Sequence, residues 1–553
     1  MPSTRRRLAD MKTLFKGGTV VDGSGAPRRV ADVLIAGDEI VAVGDLGAVS
    51  DADTIDASGL VVSPGFIDIH THYDAQVLWD ADLTSSSWHG VTTVVMGNCG
   101  FSIAPTRREH RGIICRTLEN VEDMPLAALE AGIPWGFETF PEYLDVLEAR
   151  PKRLNVAAMV GHSALRLYVM GEDAVERSAS PDEVQTMRTV LAGAIRAGGI
   201  GFATSRSASH VGADGRPVPS RLAAPDEVVA LASVLDEVGR GAIQIAPGAA
   251  LDEVAMLAHE TSRPITWSAL LTGRYAPRAA TDLVDETASW REGVWPQISC
   301  RPLVMQVSPA EPRALAGLSA FQSILAADPE TRIDLYRDSM WRDEATSQLE
   351  TAWVDRWARM SIDESSAHPD LVGRRIAEVA EARGDSPATV FLDVAVDDRL
   401  TSRFGMILLN DDEEELGRLL RDRRTLVGLS DAGAHSTQLC DACYSSHLLG
   451  HWVRERQDLD LETAVWRLTG QPASIFGIAG RGLLRERYAA DVVLFDPATV
   501  GPLPPQRVKD MPGGTERLTA MATGIAAVYV NGTKILDAGR LVGDARPGAL
   551  LRS

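Results

Sequence analysis

The sequence predicts an α/β fold, a (β/α)8 TIM-type barrel with a small composite β-sandwich domain formed by both chain termini. Three observations predict it. Eight apolar, strand-like runs alternate with helical patterns through the middle of the chain, and short β-rich runs with turn signals occupy both ends. The length of 553 residues is too great for one small domain and suits one large barrel with a satellite.

The N-terminal part of the β domain is expected over residues 1–62, where TLFKGGTVVDG, VADVLIAGDEIVAVG and TIDASGLVVSPG alternate β-rich runs with turn residues. Residues 481–553 mirror it with ADVVLFDPATV and GIAAVYVNGTKILDAGRLVG, where Asn531-Gly532 is a hairpin signal. The barrel is expected over 63–480. Its eight candidate strands are LVVSPGFIDIH, VTTVVMG, NVAAMVGH, GIGFATS, AIQIAP, PITWSAL, QISCRPLVMQ and TLVGLSD. Strand ends of such a barrel open onto one face, so His70, Cys99, His162, Arg206 and Asp431 are expected to share one mouth. About 307–424, between the seventh and eighth candidates, reads as a long insertion or lid containing the Trp-rich helical stretch YRDSMWRDEATSQLETAWVDRWARM. The acids of NDDEEELGRLLRD start a helix there and read as a solvated face.

Composition narrows the function. A formal charge of −21 opposes binding to nucleic acid or anionic lipid, which leaves a small molecule as the expected partner. No apolar run approaches the roughly 18 residues a membrane span needs. The opening MPSTRRRLAD is followed by no apolar stretch of a secretory signal, and translation starting at Met11 is an alternative. Five cysteines in so long a chain make no disulfide framework, in keeping with the cytoplasm. A homo-oligomer is compatible with the sequence, which specifies no interface.

The chemistry is concentrated in PGFIDIHTHYDAQ, residues 64–76. Side chains two apart on a strand point the same way, so His70 and His72 face one point and can hold a metal ion. In a closed barrel the last strand is the neighbour of the first, which brings Asp431 of GLSDAGAH beside them. Two imidazoles and a carboxylate leave one position open for water.

GFIDIHTHYDAQ, NCGFSIAP, VEDMP with PWGFETFPEYLD, MVGHSALR, GLSDAGAH and RGLLRERYAADVVLFDP resemble the metal-dependent amidohydrolase superfamily, in its D-aminoacylase (N-acyl-D-amino-acid deacylase) branch. The resemblance runs from about residue 13 to 550. It implies hydrolysis of a non-peptide C–N bond by metal-activated water, with Asp431 as metal ligand and general base and Cys99 as a further ligand. The branch also has histidine ligands at the fifth and sixth barrel strands, where AIQIAPG and PITWSALLTG offer only Gln244, Thr266 and Ser268. Amides and hydroxyls are poor zinc ligands, so one divalent ion, zinc in the first instance, is expected on His70, His72, Asp431 and Cys99. The arginine that follows the branch's catalytic aspartate is replaced by STQLCDACYSSHLLGHW. A substrate carboxylate then falls to Arg206 or Arg216, with His210, His162 and His435 as further substrate-contact candidates. Two other readings stay open: ring opening of a cyclic amide, imide or lactone, and a metal-free binding protein that kept the barrel without catalysis.

Overall fold

The computed structural model describes residues 12–310, 315–325 and 327–552; Met11 and the basic opening lie outside the described residues. The barrel strands are β1 (Phe66–Thr71), β2 (Val91–Met96), β3 (Asn155–Gly161), β4 (Gly201–Ser205), β5 (Ala242–Ala246), β6 (Ile265–Leu270), β7 (Val294–Ile298) and β8 (Leu426–Val427). They pair in parallel in chain order, and β8 joins β7 through Gln297–Leu426 and Ile298–Val427. Closure falls just beyond β8: Thr71 bridges Ala432 in parallel, and the His72 N–H donates to the Ala432 carbonyl at 2.8 Å. The interior is filled by Ile67, Ile69, Val95, Ala157, Met159, Ala203, Ala242 and Leu426, all buried. Small residues on β3 to β5 face branched ones on β1, as a packed barrel requires.

The expected first strand is two strands. Val61–Pro64 pairs with Lys12–Val20 on one side and Val492–Phe495 on the other, inside a nine-stranded sheet drawn from both chain ends. The chain passes into β1 at Gly65, where a Cβ would lie 2.1 Å from Thr92 Oγ1. Only glycine lets the two strands follow each other so closely.

The seventh candidate also divides. Val294–Ile298 belongs to the barrel, whereas Leu303–Val307 pairs antiparallel with Arg403–Leu409 in a separate three-stranded sheet. That sheet belongs to a second compact unit, Pro302–Asp411, in place of the expected 307–424. Its tryptophans build a core of its own: Trp353 and Trp357 lie 5.4 Å apart, and Phe391 packs on both and on Phe404. Aromatic side chains bury enough surface to stabilise so small a unit.

Helix Glu413–Arg421 starts where the acids predicted, with the Asp412 carboxylate accepting the Glu415 N–H at 3.0 Å. Its acids are not all solvated. Glu415 is buried and accepts both the N–H and the hydroxyl of Thr281 at 2.9 Å. At the far end of this helix buried Arg467 donates to the carbonyls of Leu419 at 3.0 Å and Leu420 at 2.9 Å. These bonds satisfy carbonyls that a helix end leaves orphaned and fix the chain as it enters β8.

Candidate metal centre

His70 and His72 emerge where the pairing of β1 with β2 shifts register between Asp68 and Thr71, an irregularity that re-aims the last residues of the strand. Both imidazoles are buried, with ring centroids 5.4 Å apart. Cys99 follows β2 in the turn Gly97–Gly100, at φ 54°, and its thiol lies 3.4 Å from His70 Nε2. One ligand atom each of His70, His72 and Cys99 falls within 4.8 Å of the others. Asp431 completes the group from the loop after β8, its Oδ1 3.3 Å from His70 Nε2 and 3.7 Å from His72 Nε2.

Asp431 at φ 45° and Cys99 both occupy the left-handed region, which costs a non-glycine residue about 1 kcal/mol or more. Surrounding structure holds them there. Gly433, two residues after Asp431, packs so tightly that a Cβ would lie 2.7 Å from the His72 carbonyl. The Cys99 N–H donates to Gln244 Oε1 at 2.7 Å, and Ser430 Oγ donates to the His70 carbonyl at 3.0 Å.

Electrostatics couple the four groups. Burial opposes charge on His70, yet the Cys99 thiolate and Asp431 raise its pKa to about 9. His72 is likewise raised well above its ordinary value, against burial, by Glu122, Asp431 and Cys99. The same partners act in reverse on the anions: against burial, His70 and His72 lower Cys99 and hold Asp431 well below the usual carboxylate range. Two nitrogens, a thiolate-prone sulfur and an ionised carboxylate are the donor set zinc takes, so the residues fit the ion.

The strand-5 to strand-7 side of the mouth is different in kind. Gln244 Nε2 donates to Ser268 Oγ at 2.9 Å, and Gln297 Nε2 to Thr266 Oγ1 at 3.0 Å. Gln297 Oε1 faces His70 Nδ1 at 2.6 Å, so that nitrogen carries a proton and Nε2 is the one left to bind an ion once its own proton is lost. Sequence reasoning missed Gln297. The available signal was a glutamine in an otherwise apolar strand, which needs a partner when buried. It also missed Glu122, the buried last residue of helix Arg111–Glu122, 3.6 Å from His72 Nδ1.

Of the substrate-contact candidates, His210 and His435 stay at the mouth. His210 packs edge-on against Phe101, bonds Ser205 Oγ at 2.6 Å and is held below its ordinary pKa chiefly by burial. His435 stands 3.9 Å from Glu122 Oε2 and is 33% exposed. His162 is buried, with one ring nitrogen on Thr204 at 2.8 Å and the other on Glu227 at 3.0 Å. Arg216 is 47% exposed and neutralised by Asp214 and Glu176 on its own face of the protein. Arg206 is paired with Glu253 at 2.8 Å and donates to the Ser220 carbonyl. A cavity of about 30 Å³ opens beside Asp431, lined also by Ser430, Gly433, Cys440, Asp441 and Arg517. Arg517 there is engaged by Asp510 at 2.9 Å and the Thr84 carbonyl at 2.8 Å. Cys440 and Cys443 are both free thiols.

A parallel eight-stranded barrel with two histidines at the end of its first strand and an aspartate after its last defines a class, and the sequence pattern of that class covers residues 53–534: the chain belongs to the amidohydrolase family and is a metal-dependent hydrolase of amide bonds. Within it the similarity is to deacylases. D-aminoacylase of Alcaligenes xylosoxydans xylosoxydans is 32% identical over 532 residues, 94% of each chain. N-acyl-D-glutamate deacylase of the same organism is 31% identical over 98% of this chain and 96% of its own. Among solved structures, a D-aminoacylase with a binuclear metal center superposes with a TM-score of 0.66 at 31% identity, over 98% of this chain and 99% of that one. N-acyl-D-glutamate deacylase from Bordetella bronchiseptica, complexed with zinc and a phosphonate inhibitor, gives 0.67 at 28% identity over 98% and 100%.

Proposed function

We propose that the protein deacylates N-acyl-D-amino acids or closely related amides, with one divalent ion, zinc in the first instance, on His70, His72, Cys99 and Asp431. The observation that carries this reading is the convergence of those four side chains at the seam between β1 and β8. The D configuration is supported by the relatives, D-aminoacylase and N-acyl-D-glutamate deacylase, which are about equally identical to this chain, at 32% and 31%, and so favour no single side chain of the substrate. A single ion is supported by the neutral residues of β5 and β6, which are bonded to one another and are weak zinc donors.

When bound, a divalent ion supplies the Lewis acidity that brings the pKa of water to about 7 and polarises the scissile carbonyl. The chain supplies orientation and proton movement. Gln297 keeps the His70 proton on Nδ1, away from the site. Asp431 is ionised and its side chain is 28% exposed, so Oδ1 can accept the proton of the attacking water and return it to the leaving nitrogen. His210 and His435 are the proposed substrate contacts, and Arg206, whose charge is shared with Glu253 at 2.8 Å, is the proposed partner of a substrate carboxylate. A cytoplasmic setting is supported by five cysteines that are all free. No helix among the described residues is long and apolar enough to cross a membrane.

Parallel rate assays on N-acyl-D-amino acids, their L enantiomers and cyclic amides separate the readings, because deacylation splits the substrate into a carboxylic acid and a free α-amine, whereas ring opening gives a single product. Amine release from the D series is expected. Turnover confined to cyclic amides would replace this reading by ring opening.

A further inference from the structure

Each histidine of the metal pair has a partner behind it, and the two partners differ in charge. Behind His70 stands the neutral amide of Gln297 at 2.6 Å. Behind His72 stands Glu122, with Oε1 3.6 Å from Nδ1. That His72 nitrogen is buried and has no hydrogen-bond partner among the described residues, so the carboxylate is the group placed to receive its proton. The Glu122 side chain is only 4% exposed, and a carboxylate so buried is costly unless it is paired. Among the described residues its ion-pair contacts are imidazoles: His72 through Oε1, and His435 through Oε2 at 3.9 Å.

The backbone sets this arrangement. Helix Arg111–Glu122 ends where Asp123 turns into the left-handed region at φ 48° and closes the helix with its N–H on the Leu118 carbonyl. The Glu122 carbonyl accepts the His435 N–H at 2.5 Å, and Asp123 Oδ2 accepts the Thr437 N–H at 3.3 Å. The helix end is thereby stitched to the loop that carries Asp431. Its last side chain reaches between the end of β1 and that loop.

We propose that Glu122 is a positioning residue, whose carboxylate fixes the Nδ1–H of His72 and the ring of His435 together and so couples the metal pair to the mouth. A carboxylate behind a ligating imidazole orients the ring and raises its basicity, and losing such a partner costs about 10- to 100-fold in metal affinity. This rests on the reading of His72 as a metal ligand.

The test measures zinc affinity by competition with a chromophoric chelator for wild type and Glu122→Gln, with cooperative melting of each metal-free protein as the check on folding. Zinc binding about tenfold weaker or more in a folded Glu122→Gln protein is expected. Equal affinities in the two proteins would overturn the positioning role alone, whereas no zinc binding by wild type would overturn the metal reading with it. Should Glu122→Gln fail to fold, cobalt-loaded wild type supplies the answer by proton NMR. Two exchange-protected, hyperfine-shifted imidazole N–H signals are expected, one from His70 and one from His72. A single signal would leave Nδ1 of His72 without its carboxylate and overturn the proposal.

Discussion

The two sides of the barrel mouth are built from similar strands and do opposite things. On the β1–β2–β8 side, His70, His72, Cys99 and Asp431 are mutually charged and strain the backbone at Cys99 and Asp431. On the β5–β6–β7 side, Gln244, Thr266, Ser268 and Gln297 are neutral and hydrogen-bond in two pairs, Gln244 with Ser268 and Gln297 with Thr266. One side holds charge where chemistry is proposed; the other holds the first in place. The link is direct, since Gln244 accepts the Cys99 N–H and Gln297 faces the His70 ring. On the proposed reading, a barrel mouth need not be lined by ligands all round to position a metal.

The largest effect expected from breaking this division is on the charged side. Asp431→Asn removes the proton acceptor and is expected to lower kcat by about 10³-fold, within the usual range for a general acid–base group. Initial rates on an N-acyl-D-amino acid, measured with metal content alongside, check it. Full turnover by the metal-loaded variant would remove Asp431 from proton transfer.

A histidine away from the mouth sharpens the contrast. The paired imidazoles are raised by anions, but His89 is buried between Ser446 Oγ at 2.8 Å and the Ala520 carbonyl at 2.9 Å, both neutral. Burial then prevails and lowers its pKa from 6.5 to about 4. The unfolded chain therefore takes up this proton at a higher pH than the folded one. The stability His89 contributes is complete above pH 6.5 and lost as pH falls toward about 4, on the order of 3 kcal/mol. Denaturant melts of wild type and His89→Gln between pH 7 and 4 are expected to differ in slope, with the variant the flatter. Parallel slopes would mean that His89 charges freely in the folded protein.

The smallest effect expected is on the neutral side. Gln297→Leu leaves the ligands intact but releases the His70 ring, and zinc affinity is expected to fall about tenfold. Chelator competition reads it. An unchanged affinity would make Gln297 a space filler.

The charged side was legible in the sequence because its residues follow simple periodicities. An HxH at the end of an apolar run and an aspartate at the end of the last run need only strand alternation and barrel closure to meet. Gln297 and Glu122 obey no such pattern. Gln297 looks like any polar residue in a strand, and Glu122 reaches the site only because its helix ends against the loop carrying His435. His162 shows the converse: it follows a barrel strand directly, as expected, but what occupies its nitrogens, Thr204 and Glu227, comes from elements the sequence does not bring together. At fold level the strand count and the joining of both termini were legible from composition. The splits at Gly65 and Pro302 were not: Ser63-Pro64-Gly65 and Ser299-Cys300-Arg301-Pro302 interrupt the apolar runs, but a break in a run does not say that the chain has moved to another sheet.

The claim that one side of the mouth binds metal and the other does not is tested most directly by metal content. Plasma mass spectrometry on purified wild type and His70→Ala is expected to give close to one equivalent of zinc per chain, lost in the variant. Two equivalents in wild type would contradict the division by showing that the β5–β6–β7 side also holds an ion, and none after reconstitution with zinc would contradict the metal centre itself.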